Sequence, residues 1–291
     1  MTFDELMNFL SAIGWIPSCI GLWFVWRQIR LMREQNQISK DNVKRDKAIE
    51  FAKQYADLLS SEFGFCYGYL SNIIPTDYNK KVSLQSIKHF DKQEMQDLLK
   101  QEEIKAIIDS CTKPSKKQMS ILSEMYIAQN ELPEDEISII RFLDYCGWEI
   151  EKEEVELLKK EMSGVELDEL EKTYLDAIKG KMKKINYFKT KIIRYLNNSR
   201  VNSLNKLEYM CMYFYTNMAD DDIVYRSLHQ SFLSTITLLY VFIANLNETS
   251  SNKYYTNIIF LFNRWKRRYI QDSRIEKNVV RSVCKRSSKY E

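Results

Sequence analysis

Leu6–Trp26 runs for twenty-one residues without a charge, LMNFLSAIGWIPSCIGLWFVW. As a helix such a run is about 31 Å long, close to the roughly 30 Å hydrocarbon core of a bilayer. A cleaved leader would start basic and end in a small-residue cleavage site, whereas Asp4 and Glu5 stand ahead of this run. A buried core helix is a poor home for Trp15, Trp23 and Trp26 with so few polar breaks. Arg27, Arg30 and Arg33 follow directly, and basic flanks stay on the cytoplasmic side. The run therefore predicts a single-pass anchor over residues 1–26, with the amino terminus outside and the bulk cytoplasmic.

Inside that run Ser11, Gly14, Ser18 and Gly21 are spaced three, four and three, so they share one helix face. Small residues on one face let two membrane helices approach closely. Pro17 sits beside that face and should kink the helix or free a carbonyl. Two readings stay open: ordinary membrane-span composition, or a self-association face. A pore lined by one helix per subunit needs several copies.

The remaining chain is poor in breakers, with seven Gly and four Pro in 291 residues. That leaves little room for the tight turns of a sandwich or barrel, and predicts an all-α fold of long helices. Charged residues at 29% and hydrophobic residues at 45% exclude a disordered chain and a multi-pass membrane protein. A net charge of +3 gives no global basic field to mark a nucleic-acid binder. The six cysteines (Cys19, Cys66, Cys111, Cys146, Cys211, Cys284) are scattered, which excludes CxxC redox or zinc motifs and suggests buried thiols in a reducing compartment.

After the anchor, residues 27–48 read as a polar helical stalk. Val25, Ile29, Met32, Asn36, Ser39 and Val43 keep four-three spacing, but two of the six are polar, a poor coiled-coil seam by itself. Residues 49–263 read as a helical cytosolic domain. Within it, Thr76–Lys88 looks like a loop, Asp91 and Glu94 form a candidate capping box, Pro114 breaks a block, and Ser115–Asn130 is amphipathic. Leu132–Glu136 places Pro and three acids at a helix start. Phe232–Leu246 is a candidate second span, but fifteen residues cover only about 22 Å, so a buried core helix is expected. Residues 264–291 form a basic tail with ten basic and three acidic residues.

Charge is segregated in the middle. Glu149–Glu171 holds ten acidic and three basic residues, and Lys172–Arg200 nine basic and one acidic. Ile178, Met182, Ile185, Phe188, Ile192 and Leu196 keep helical spacing through the basic part. Either acidic and basic helices pair as solvated neighbours, or a cationic face of Lys181, Lys184, Lys191 and Arg194 takes an anionic ligand. Asp220, Asp221 and Asp222 most simply cap a helix; a metal role lacks a matching ligand set. FNRWKRR, Phe262–Arg268, pairs aromatics with cations and suits either a solvated basic helix end or contact with lipid headgroups or phosphates.

No enzymatic signature is present. GFCYG, Gly64–Gly68, lacks the Lys-Ser/Thr of a phosphate loop, and there is no G-x-S-x-G, no H-E-x-x-H and no paired cysteine ligand set. His229 follows Arg226 too closely for a HEPN-type ribonuclease motif, and His89 has no Arg near it. No catalytic residue, metal or cofactor is therefore expected.

WRQIRLMREQ after the anchor, LNKLEYMCMYFYTNMADDDIVYRSLHQSF in the body and FNRWKRR near the end resemble a group of bacterial helical proteins of unknown function. Those carry one amino-terminal membrane helix and often lie in phage-defence loci. The layout is also similar to membrane effectors of nucleotidyltransferase-linked defence systems, which assemble and permeabilise the inner membrane when triggered. The resemblance implies a homo-oligomer and a nucleotide or oligonucleotide ligand, made by a partner nucleotidyltransferase and held by a basic cytosolic surface. The expected function is thus an abortive-infection effector that opens the membrane. Its rivals are a membrane-tethered adaptor that recruits a partner protein without a pore, and a nuclease using His229 and Arg226.

Overall fold

The computed structural model describes residues 3–249 and 253–287, with side chains described for residues 23–61, 63–249 and 253–275. Among the described residues the chain is 82% helical, has no strand and forms eleven helices, as the scarcity of Gly and Pro predicts.

α1 (Phe3–Ser60) is one unbroken helix of 58 residues, about 87 Å long. No Gly or Pro occurs between Gly21 and Gly64, so nothing ends it earlier. The segments expected as anchor and stalk and the first body helix are therefore one element. The body takes hold at Lys44, whose carbonyl accepts from the Asp220 amide at 3.0 Å. Ala48, Phe51, Tyr55 and Leu58 then enter the core at helical spacing. The Tyr55 hydroxyl meets Ser231 and Thr235, each at 3.2 Å. The residues expected to pack membrane helices, Ser11, Gly14, Pro17, Ser18 and Gly21, lie on α1 but outside the residues whose side chains are described.

The chain turns at Ser61 into α2 (Glu62–Ile73). A Cβ on Gly64 would sit 2.5 Å from the Leu59 carbonyl oxygen, so only glycine permits this corner. The expected loop over Thr76–Lys88 contains a one-turn helix, α3 (Tyr78–Lys81), because Tyr78 is buried with its hydroxyl on the Thr237 carbonyl at 3.0 Å. α4 (Lys92–Leu98) is capped by Asp91, which accepts from the Glu94 amide at 2.9 Å. The other half of the expected capping box does not form. The Glu94 carboxylate instead turns outward from its own helix end to the amides of Lys88, His89 and Phe90 and to the Tyr240 hydroxyl.

α5 (Gln101–Thr112), α6 (Lys116–Gln129), α7 (Glu134–Cys146) and α8 (Lys152–Met162) pack in succession around α9 (Glu169–Tyr215), a 47-residue helix that also touches α1, α2 and α11. α6 starts after Pro114 and α7 starts with Glu134, Asp135 and Glu136 in its first turn, both as expected; a Ser115–Gln118 capping box opens α6. Ile178, Ile185, Phe188, Ile192 and Leu196 are buried, while Met182 interrupts this row at 41% exposed.

α10 (Asp221–Leu246) is, among the described residues, the one helix long and apolar enough to cross a membrane by length and composition. Its second half, Phe232–Leu246, is the expected core helix: Phe232, Ile236, Leu239, Tyr240 and Ile243 have no exposed surface. α11 (Thr256–Ser287) runs through residue 264, so the basic tail does not begin as a separate segment there. Trp265, inside the expected tail, is fully buried. Asn247 latches this end of the body, donating to the Phe90 carbonyl at 2.9 Å and accepting from the Tyr254 amide at 2.7 Å.

Candidate functional site

The feature that sets this fold apart is how α1 leaves it. Every residue from Trp23 to Val43 is exposed, including Trp26 at 59%, Met32 at 61% and Ile38 at 60%. A lone helix in water is marginal even with good propensity, and a run of exposed large apolar side chains marks an interaction surface. Arg27 stacks over the Trp23 ring at 5.4 Å, and Arg30 pairs with Glu34 at 3.1 Å. Cations and tryptophans thus sit together at the end nearest the uncharged run.

The predicted basic face is divided by the tertiary structure. Lys181 is paired with Glu154 of α8 at 3.0 Å, and both side chains are largely covered. Burial pushes the Glu154 carboxyl up, but the Glu151 amide and the Lys181 ammonium outweigh it and hold the carboxyl below its ordinary value. Lys191 pairs with Glu136 of α7 at 2.7 Å and lies over the Tyr187 and Phe188 rings. Lys184 and Arg194 are exposed and have no ion pair among the described residues. Lys184 borders a cavity of about 510 Å³ with Phe142, Tyr174 and the Glu154–Lys181 pair. Acidic and basic helices therefore do pair, and two of the four candidate cations are consumed in it. Lys181→Glu is expected to cost about 2–4 kcal/mol in the docking of α8, since it leaves a covered carboxylate facing another. Amide exchange over Lys152–Met162 reads this loss; Lys184→Glu should leave the same protection unchanged.

FNRWKRR is likewise turned inward. Arg264 reaches Asp221 at 3.2 Å, Arg268 reaches Asp222 at 2.5 Å and lies over the Tyr225 ring at 4.0 Å, and the Trp265 indole donates to Asp221 at 2.6 Å. Lys266 donates to the Ile87 carbonyl, and burial lowers its pKa. Asp220 caps α10 through the amides of Asp222 and Ile223. The three aspartates thus hold a helix start and two arginines, and no group of three metal-ligating side chains occurs among the described residues.

His229 donates from Nδ1 to the Tyr225 carbonyl at 2.6 Å, with its ring stacked on Tyr225 at 4.4 Å and tilted against Tyr269. The helix backbone therefore occupies one ring nitrogen, and Arg226, one turn earlier on α10, is exposed. His89 is exposed in the loop before α4. Cys66, Cys111 and Cys211 are buried free thiols and Cys146 is half-buried; burial pushes the Cys66 thiol up to about 12, so it is inert as a nucleophile.

Sequence reasoning missed a cleft of about 760 Å³ between α2, the α3 loop and α10, bordered by Ser71, Asn79, Ser83, Gln230, Ser234 and Thr237. Its lining carries hydroxyls and amides but no charge, so it does not match the anionic ligand expected from the resemblance. Gln230, Ser234 and Thr237 share one face of α10 at i, i+4 and i+7, but only the fold brings Ser71, Asn79 and Ser83 against that face. No family model, curated protein or solved structure matches the chain.

Proposed function

We propose that this protein is a single-pass, amino-terminally anchored membrane effector whose copies associate through α1 and permeabilise the inner membrane. The observation that carries this reading is the free helix: residues 23–43 leave the body fully exposed, and the helix continues without a break into the uncharged run Leu6–Trp26. Apolar surface of this kind needs a covering phase or partner, and a bilayer covers the first part. Arg27, Arg30 and Arg33 orient the helix with the body in the cytoplasm. Support for the phage-defence setting and for a nucleotide or oligonucleotide cue comes from the sequence resemblance. Lys184 and Arg194, the two of the four candidate cations without an ion pair among the described residues, are the residues to which such a cue would bind.

The deciding experiment measures membrane potential and dye entry in bacteria making the full chain, beside a version lacking Met1–Trp26, with and without phage. Depolarisation that requires the anchor is expected, with dye entry at the vector level for the shortened chain. Intact membranes under both conditions would end the pore reading. A chain whose first 26 residues are exchanged for an unrelated membrane helix separates the effector from a tethered adaptor, because retained protection there favours the adaptor.

A further inference from the structure

We infer that residues 24–43 of α1 are the surface through which copies of this chain assemble, as a parallel, in-register bundle of four or five helices. The inference rests on the membrane reading above and deepens it. At about 100° per residue, all six charged residues between Phe24 and Val43 (Arg27, Arg30, Arg33, Glu34, Lys40 and Asp41) fall on one half of the helix. On that half Arg30 pairs with Glu34 and Gln37 donates to Asp41, both at 3.1 Å. The other half carries no charge, is exposed along its whole length, and meets nothing in the body.

The uncharged half holds two seams side by side. Phe24, Gln28, Leu31, Gln35, Ile38 and Asn42 keep strict four-three spacing, with apolar residues every seven and amides between. The seam one residue further on, Val25 to Val43, is the one that reads as poor by itself. A helix with two adjoining seams meets two neighbours. Adjacent positions are about 100° apart, between the roughly 90° corner of a four-membered ring and the roughly 108° corner of a five-membered one.

In register, Leu31 of one copy lies against Met32 of the next, and Gln35 against Asn36. Amides both donate and accept, so this layer satisfies itself among identical chains. A slip of one heptad would set Gln35 against Ile29 or Val43, so the layer fixes the register as a polar core position does in a coiled coil. Gln28 of the first seam and Ser39 of the second lie at their inner edges and face the bundle axis, which gives a place to two polar residues outside the Gln35–Asn36 layer.

The occupant is a second copy for two further reasons. The face of Ser11, Gly14, Ser18 and Gly21 continues at the same three-four spacing into Val25, Gln28, Met32 and Gln35 along one unbroken helix. Anchored copies also share one depth and direction. A single seam about 30 Å long and 10 Å wide covers only about 300 Å² per copy, well under the roughly 1,200 Å² total of a stable pair, so one seam does not hold a dimer and both are used.

The test uses the full chain in bacterial membranes, with a photoreactive amino acid at position 31 or 32, one in each seam, and at position 30 or 34 on the charged half. Irradiation should give a self-crosslinked ladder ending at four or five copies from 31 and 32, and monomer from 30 and 34. A ladder ending at two, equal crosslinking from both halves, or crosslinks only to other proteins overturns the bundle. Gln35→Glu sets four or five carboxylates in one layer, on a rod clear of the body, and should weaken the ladder about tenfold without changing the melting temperature. An undiminished ladder in that variant overturns the register. Fractionation of the same cells reads the anchor separately: a soluble chain sinks the membrane reading, while the crosslinks still decide the bundle.

Discussion

Glu94→Ala should lower the stability of the body by about 4 kcal/mol, a drop of about 10 °C in melting temperature for a domain of this size. The Glu94 carboxylate takes the amides of Lys88 and His89 on Oε2, at 2.5 and 2.7 Å, and the Phe90 amide and Tyr240 hydroxyl on Oε1, both at 3.0 Å. Alanine leaves four donors without an acceptor, two of them on buried residues, and the desolvation of each is then uncompensated. Phe90 adds to the loss, because its φ of 55° is costly for a large side chain and persists only while Glu94 holds its amide and Asn247 its carbonyl. Glu94→Gln keeps the shape but replaces one acceptor oxygen with a donor. One pair of the four donors then faces an NH₂ group, so about half the loss is expected. Thermal denaturation of the full chain in detergent measures both variants, and a Gln variant as stable as the parent would remove the carboxylate from this account.

Trp265→Ala should cost about 3–5 kcal/mol, the upper range for a buried aromatic. The indole has no exposed surface and meets the rings of Phe214, Tyr225 and Phe232 with centroids 5.8, 5.9 and 5.0 Å away. It joins the end of α9, the start of α10 and α11, and its NH holds Asp221 in place for Arg264. Trp265→Phe keeps most of the ring contacts and loses the hydrogen bond, so about 1–2 kcal/mol is expected. The contrast matters for function. If FNRWKRR were a lipid- or phosphate-binding patch, these variants would change binding and leave denaturation unmoved; a core role moves denaturation.

Elements were legible wherever one local rule decided them. Ser115 after Pro114, the acids of Glu134–Glu136 and the Asp220 cap each mark a helix start with its own physical cause, and each helix begins there. The apolar row along α9 was legible except at Met182, which is 41% exposed although Ile178 and Ile185 on either side of it are buried. Glu94 illustrates where local reasoning stops. Its spacing from Asp91 fits a capping box, but three amides of the preceding turn and a tyrosine from α10, 146 residues away, offer its carboxylate more than the Asp91 amide does. The same competition removed Lys181, Lys191, Arg264 and Arg268 from the pool of free cations. Each found an acid on another helix, a pairing no spacing along the chain reveals.

By itself the sequence determined the fold class of this protein and set one charge-free run ahead of three arginines. Few glycines and prolines leave only long helices, and a charge-free run followed by arginines admits few environments, since backbone propensity and solvation act residue by residue. The tertiary structure alone decided which charges remain available and which surface stays bare. Acidic and basic segments cancel across helix contacts, whereas the uncharged half of residues 24–43 is left with nothing in its own body to cover it. Pairing and burial depend on what folds against each side chain, and that is a property of the packed chain rather than of any segment.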